Sequence, residues 1–341
     1  MKYLLFLLSP LFFVSCKKDV PQFKRAPHIA SKVDGLNNAH DVEWFIYDRD
    51  TNYYSFQLQT LHQFDDEDDE ALNKLVKLNA TRFKVNKSYY KEDFDNNGYT
   101  DLLVIGDTHW CTGITCQFAC YAVMNFGGDS IQICNLVKDI FHHPVVPQVV
   151  YDNGKPLIRI NELQRFDYRN KMYKDSTNVK LTYYSGSFLE YNKKPANNKI
   201  EKIEFAVGGC YGTCSSFQIN VDKDRSALFI AQYYNFSDDA YNEEGSFKTT
   251  INLTDYDKIV DVLNYIDFSK LKDEYSVNVT DLSSCIVKVT YNNGKTKIIR
   301  DYGLQGTYGL SELYNLFYKL RFNQKWIKTE EPKGIRLNPL S

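Results

Sequence analysis

Oxygen donors crowd into one short run of the chain, Asp93-Phe94-Asp95-Asn96-Asn97-Gly98-Tyr99-Thr100-Asp101. Hard divalent cations are held by several oxygens at close range. Acceptors at loop positions 1, 3, 5 and 9, a carbonyl at position 7 and a turn-forming glycine at position 6 provide such a set. Asp93, Asp95, Asn97 and Asp101 fill the side-chain slots, Tyr99 offers its carbonyl and Gly98 takes the turn. The chemistry this spacing points to is structural calcium binding. The competing reading is a β-turn in which the Asx side chains only satisfy the backbone.

Position 12 of an EF-hand loop would be Val104 here, and Leu102 to Ile105 reads as a strand, so the helical form of such a loop is excluded. The run instead resembles the Asp-rich calcium loops of FG-GAP and VCBS-type β repeats, which also lead into a Leu-Leu-Val strand. One copy is present, which does not support a propeller.

Cysteines are the second source of chemistry. In Gly209-Cys210-Tyr211-Gly212-Thr213-Cys214 an extended chain would hold the two sulfur-bearing residues about 13 Å apart, beyond the roughly 7 Å limit for bridging. Only a tight turn, which Gly209 and Gly212 permit, could join them. Cys210, Gly212 and Cys214 resemble the Cys-x-Gly-x-Cys-Pro-x-Tyr signature of a domain of unknown function, numbered 6438, in Bacteroidetes-type lipoproteins. Ser215 stands where that family has Pro and Phe217 where it has Tyr. The resemblance continues through Asp273 to Tyr275, Val279-Thr280-Asp281 and Lys295 to Gly303, and reaches Trp326. It implies a fold and no activity. A structural disulfide is the first reading of Cys210 and Cys214, buried thiols the second and a soft-metal or redox site the third, since no histidine follows His143 to complete a ligand set.

His109-Trp110-Cys111-Thr112-Gly113-Ile114-Thr115-Cys116, with Cys120 beyond, has the residue types of a zinc cluster but not its spacing. On one strand Cys116 and Cys120 would share a face about 13 Å apart, too far to hold one ion. The candidate bridges are Cys111 with Cys116 across the turn at Gly113, and Cys120 with Cys134 across a hairpin. Connectivity stays open. No Gly-x-Ser-x-Gly elbow, phosphate loop or His-Glu-x-x-His helix occurs, and His142-His143-Pro144 reads as a loop pair.

The address of the protein comes from Cys16. A positive start at Lys2, an apolar stretch from Tyr3 to Val14 and the close Phe13-Val14-Ser15-Cys16 have the layout of a secretory signal, too short for a span of about 20 apolar residues. A Cys directly after the small residue resembles the lipobox of bacterial lipoproteins, which implies lipidation of Cys16. An ordinary cleaved signal with an incidental Cys is the alternative. Lys17-Lys18-Asp19 resembles the surface-export signals of Bacteroidetes-type lipoproteins. The expected location is the cell envelope, anchored to the outer membrane and either periplasmic or surface-exposed. Disulfides persist there, and seven cysteines after Cys16 leave at least one unpaired within the chain.

The elements that must position these groups follow from composition and pattern. With 41 basic and 43 acidic residues the chain has no field that would gather nucleic acid. Aromatic residues, 15% of the total, suit half-buried strands, with glycan-binding ring platforms as the lesser alternative. The expected organisation is a signal peptide over 1–15, a tether over 16–35, an N-terminal domain over 36–192 carrying the Asp-rich loop, and a C-terminal domain over 199–330.

In the first domain, Val42 to Leu58 reads as strand material. The acidic run from Asp65 to Glu70 opens a helix that buries Leu72, Leu75, Val76 and Leu78, and strands follow at Gln117 to Phe126 and Ser130 to Leu136. In the second, strands at Ile200 to Val207, Phe217 to Val221, Ala227 to Tyr234 and Phe247 to Leu253 precede a helix capped by Thr254. Asn293-Gly294 marks a hairpin, and a last helix over Ser311 to Phe322 buries Leu313, Tyr314, Phe317 and Leu320. The fold class is α+β: two domains, each a mainly antiparallel sheet with a few packed helices. The functional expectation is a lipid-anchored envelope binding or assembly protein with a protein or glycan partner. The alternative is an envelope enzyme, a hydrolase or a thiol oxidoreductase.

Overall fold

Asn38 opens the first helix, α1 (Ala39–Arg49), by accepting the Asp41 N–H at 2.9 Å. Val42, Phe45 and Ile46 recur at helical spacing and are buried, while Trp44 between them is exposed. The expected strand over 42–58 therefore shrinks to β1 (Gln57–Leu58). Residues of high strand propensity were outvoted by their period, because only a helix puts all three on one face. The computed structural model describes residues 23–66, 69–108, 118–138, 143–163, 166–167, 172–173, 178–235 and 244–330. The signal segment with Cys16, and the candidate bridge Cys111–Cys116, lie outside them.

Helix α2 (Glu70–Phe83) starts where the acidic run ends, with Asp69 as N-cap accepting the Leu72 N–H at 2.8 Å. Its buried face holds Val76 and Ala80 together with Asn73 and Asn79, and Leu78 is turned to solvent. The next strands are β2 (Tyr89–Glu92), β3 (Asp101–Asp107), β4 (Phe118–Asn125) and β5 (Ile131–Asn135). They form a sheet in the order β1-β3-β4-β5, with β2 beside β1 on the same edge of β3. A second sheet follows, built from β6 (Val145–Asp152), β7 (Lys155–Glu162), β10 (Asn178–Tyr184) and β11 (Ser187–Glu190) in the order β11-β10-β7-β6. The short strands β8 (Phe166–Asp167) and β9 (Met172–Tyr173) pair only with each other.

Strand period sorts the core of this half. Leu102 and Val104 of β3 face α1, whereas Leu103 and Ile105 face α2 and the inner side of the second sheet, where Ile158, Ile160 and Leu181 are fully buried. The first sheet is thus covered on both faces, which explains why all seven residues of β3 are buried.

The C-terminal half is one eight-stranded sheet. Its strands are β12 (Ile200–Gly208), β13 (Ser216–Asp222), β14 (Ser226–Tyr233), β15 (Gly245–Thr250), β16 (Glu274–Ser276), β17 (Ser284–Tyr291), β18 (Lys295–Tyr302) and β19 (Ile327–Thr329). The order is β16-β18-β17-β12-β13-β14-β15-β19, and every pairing is antiparallel except β16 with β18. Ile203, Phe205 and Val207 face the helices α3 (Leu253–Tyr265) and α4 (Tyr308–Asn323). The alternate residue Glu204 points to the other face, where it meets Lys288 at 2.8 Å. Phe205 stacks on Phe317 of α4 with centroids 4.8 Å apart.

Helix α3 is capped two residues earlier than Thr254, by Asn252, whose side chain accepts the Asp255 N–H at 2.9 Å. Asn is the stronger N-cap residue of the two. Leu313, Tyr314, Phe317 and Leu320 of α4 are buried as their spacing requires. Mainly antiparallel sheets with four α-helices among the described residues make the fold α+β.

Candidate metal centre

The Asp-rich run is the hairpin loop between β2 and β3. Glu92 and Asp101 form the last register pair, and residues 93–100 bulge from it. Phe94 anchors the loop inward: it is 2% exposed and its ring meets Phe188 of the second sheet edge-on at 6.1 Å. Asn96 and Gly98 turn the chain with φ of 62° and 92°. Gly98 is required on a second count, because a Cβ there would lie 2.5 Å from the Pro27 carbonyl oxygen.

This turn brings carboxylate oxygens of Asp93, Asp95 and Asp101 within 4.8 Å of one another. Asp93 accepts the N–H groups of Asn97 at 3.1 Å and Gly98 at 2.9 Å. Asp95 accepts both the N–H and the side-chain Nδ2 of Asn97, at 3.1 and 3.0 Å. Asp101 is fully buried; one oxygen accepts from Phe94 N and the other from Asn125 N, at 2.8 and 2.7 Å. The Asn97 Oδ1 accepts the Tyr99 N–H at 2.7 Å, while its Nδ2 reaches the Asn125 carbonyl at 2.8 Å. Tyr99 lays its ring against Gly127, where a Cβ would come within 2.5 Å of it.

The electrostatics follow from burial. Desolvation pushes the Asp101 carboxyl up to about 8, against the pull of the Asn125 and Phe94 N–H donors and with the push of the Asp95 and Asp93 charges. Asp95 rises to about 6, again through burial first, with Asp93 adding like-charge repulsion. A divalent cation among these oxygens would reverse both shifts. The three carboxylates form an all-oxygen donor set, which fits calcium in ligand type, and each Asp101 oxygen accepts one N–H and keeps a further lone pair; Asn97 turns its Nδ2, not its oxygen, to Asp95.

Sequence reasoning missed the residues that hold the loop from outside. Asn125 supplies both backbone groups of β4 named above, and its side chain donates to Ser31 Oγ and to the Thr100 carbonyl, each at 3.1 Å. The Thr100 hydroxyl donates to Asp34 at 2.6 Å. The segment expected to be a tether through Gly35 is, from Phe23 onward, a docked strap. Ala26 N donates to Asn96 Oδ1 at 2.7 Å, Ile29 N to the Gly98 carbonyl at 2.8 Å, and Val33 is 1% exposed. The strap bonds the loop through its backbone, so its polar side chains stay largely exposed while the chain is held in place. No spacing signal marks these contacts, since their partners lie far apart in the chain.

The cysteines divide. Cys210 and Cys214 are bonded, with Cα atoms 5.6 Å apart, and the turn between them uses Gly212 at φ 137°. Cys120 and Cys134 are free and buried, which corrects the expected bridge between them. Cys134 lies opposite Ala122, so Cys120 is its diagonal neighbour, at a spacing of about 7–8 Å that a disulfide does not span. Cys285 is also free and buried.

No curated protein and no solved structure matches the chain. Residues 201–321, from the first strand of the eight-stranded sheet to the last turn of α4, match the Domain of unknown function (DUF6438), so this half of the chain carries that domain.

Proposed function

We propose that the protein is a lipid-anchored component of the cell envelope, with a binding or assembly role, whose N-terminal half is locked by a calcium ion at Asp93, Asp95, Asn97 and Asp101. The observation that carries the calcium reading is the convergence of three carboxylates, one of them fully buried, within 4.8 Å. Asn97 through its side chain and Tyr99 through its carbonyl complete the set that the spacing suggests. The role is structural, because the loop touches three parts of the N-terminal half at once: the strap through Asn96 and Gly98, the second sheet through Phe94, and β4 through Asn97.

Membrane attachment rests on the signal pattern and Cys16, and is consistent with the absence, among the described residues, of any helix long and apolar enough to cross a membrane. The Cys210–Cys214 bond suits an oxidising envelope compartment.

The test is thermal unfolding in calcium and in chelator. A ligand that binds only the folded state stabilises it by about 2.7 kcal/mol at a hundredfold excess over its Kd. Calcium is expected to raise the melting temperature, and Asp95→Ala to abolish the rise. Superimposable curves for the wild type in both conditions refute the calcium assignment.

A further inference from the structure

A groove of about 700 Å3 runs along the open edge of β2, between the residues that lead into α1 and the edge strand β6. That volume lies within the range of small-molecule sites. Three tyrosines line it. Tyr89 packs toward the α1 side of the first sheet and Tyr90 toward the second sheet, as neighbours on a strand must. The Tyr90 hydroxyl accepts the Lys87 N–H at 3.3 Å, which fixes its ring. Tyr151 of β6 is 56% exposed, and the Arg25 guanidinium sits 5.5 Å from its ring centroid.

The charge of the lining is one-sided. Among the described residues it includes Lys87 and Lys91 and no carboxylate; Glu92 lies in an adjoining hollow, where it accepts from the Tyr151 hydroxyl. Lys91 donates to the Asp34 carbonyl at 2.9 Å and keeps two further donors, and Lys87 is exposed. The adjoining hollow, of about 400 Å3, differs: there Arg25 pairs with Glu92 at 2.8 Å and His28 approaches Asp34 at 3.6 Å, so its charges are met internally.

We propose that the groove binds an acidic oligosaccharide, a chain of sugar rings bearing carboxylates. Aromatic faces stack against the apolar faces of pyranose rings and amphipathic tyrosines tolerate a wet site. The two ammonium groups read the carboxylates, and the amide of Asn37 on the rim reaches hydroxyls. The inference names a ligand class for the binding role proposed above and does not depend on calcium.

The test is titration calorimetry of the full chain in detergent with a short oligogalacturonate, and with the same oligomer after reduction of its carboxyls. The uronate is expected to bind, and the reduced oligomer, Lys87→Glu and Tyr151→Ala each to weaken binding by about tenfold or more, with the melting temperature of Lys87→Glu unchanged. Binding that persists in chelator separates this site from the calcium loop. Absence of uronate binding at millimolar concentration overturns the proposal, as does equal affinity for the reduced oligomer. An oligoglutamate that binds as tightly as the uronate also overturns it, since the groove would then read charge on an acidic peptide.

Discussion

Glu190, the last residue of β11, caps the helix that begins at Tyr308. Its two carboxylate oxygens accept the N–H groups of Tyr308 and Gly309, at 2.5 and 2.9 Å, and so satisfy two of the donors that a helix start leaves open. The Tyr308 hydroxyl then donates to the Leu136 carbonyl at 2.8 Å, inside the core of the N-terminal half. Leu189, one residue before Glu190, is buried among the C-terminal residues instead. The two halves are therefore stitched by an exchange of side chains around one helix start.

Glu190→Ala should cost about 1–3 kcal/mol, the range for stranding a buried hydrogen-bonding partner, and Glu190→Gln less. Urea unfolding checks this. A midpoint unchanged in the alanine variant would show that the cap carries no weight.

Asp95 and Asp101 give the metal-free protein a distinctive pH response. Their carboxyls stand at about 6 and about 8 in the folded chain, against an ordinary value of 3.8. The folded state then binds more protons than the unfolded one above about pH 4, so stability is lost as pH rises toward the folded values. In chelator, wild type should lose stability relative to Asp95→Asn as pH rises from about 4 to 6, with a smaller further loss up to about pH 8, because the Asp95 charge also raises Asp101. A wild type that gains on the variant over this interval contradicts the assignment. Saturating calcium should remove the trend.

Cys210 and Cys214 close a loop far shorter than the 15 residues for which about 3 kcal/mol is expected, so replacing both with Ser should cost less than that. The bond fixes the turn that launches β13 at Ser216. Mass spectrometry of non-reduced, alkylated protein from envelopes tests the premise: two alkylated thiols at these positions would remove it. The calcium response of the double variant should equal that of wild type, because the loop at Asp93 lies in the other half.

Cys16→Ala should release the protein from membranes, since one acyl chain anchors marginally while two or more hold stably. Fractionation of envelopes reads the result. Retention of the variant with membranes at wild-type level, with the signal still cut, would end the lipid reading.

Local pattern alone determined a good part of this molecule. The spacing of Asp93, Asp95, Gly98 and Asp101 delivered a turn that gathers three carboxylates, because a loop of this kind is shaped by its own Asx side chains and glycine. The alternation Ile203, Phe205, Val207 and the helical spacing Leu313, Tyr314, Phe317, Leu320 placed the C-terminal core for the same reason, since period fixes which side chains share a face. Tertiary structure decided what lies between distant segments. Nothing in the polar stretch ahead of Gly35 announces that Ala26 and Ile29 bond the loop, and nothing near Cys134 announces that Ala122 rather than Cys120 sits opposite it. The full burial of Asp101, whose carboxyl stands at about 8, likewise belongs to the assembled fold, in which Asn125 arrives on β4 to meet one of its oxygens. Strand register and docking are settled by the summed packing of whole faces, in which a residue's partner is the one that arrives across the sheet.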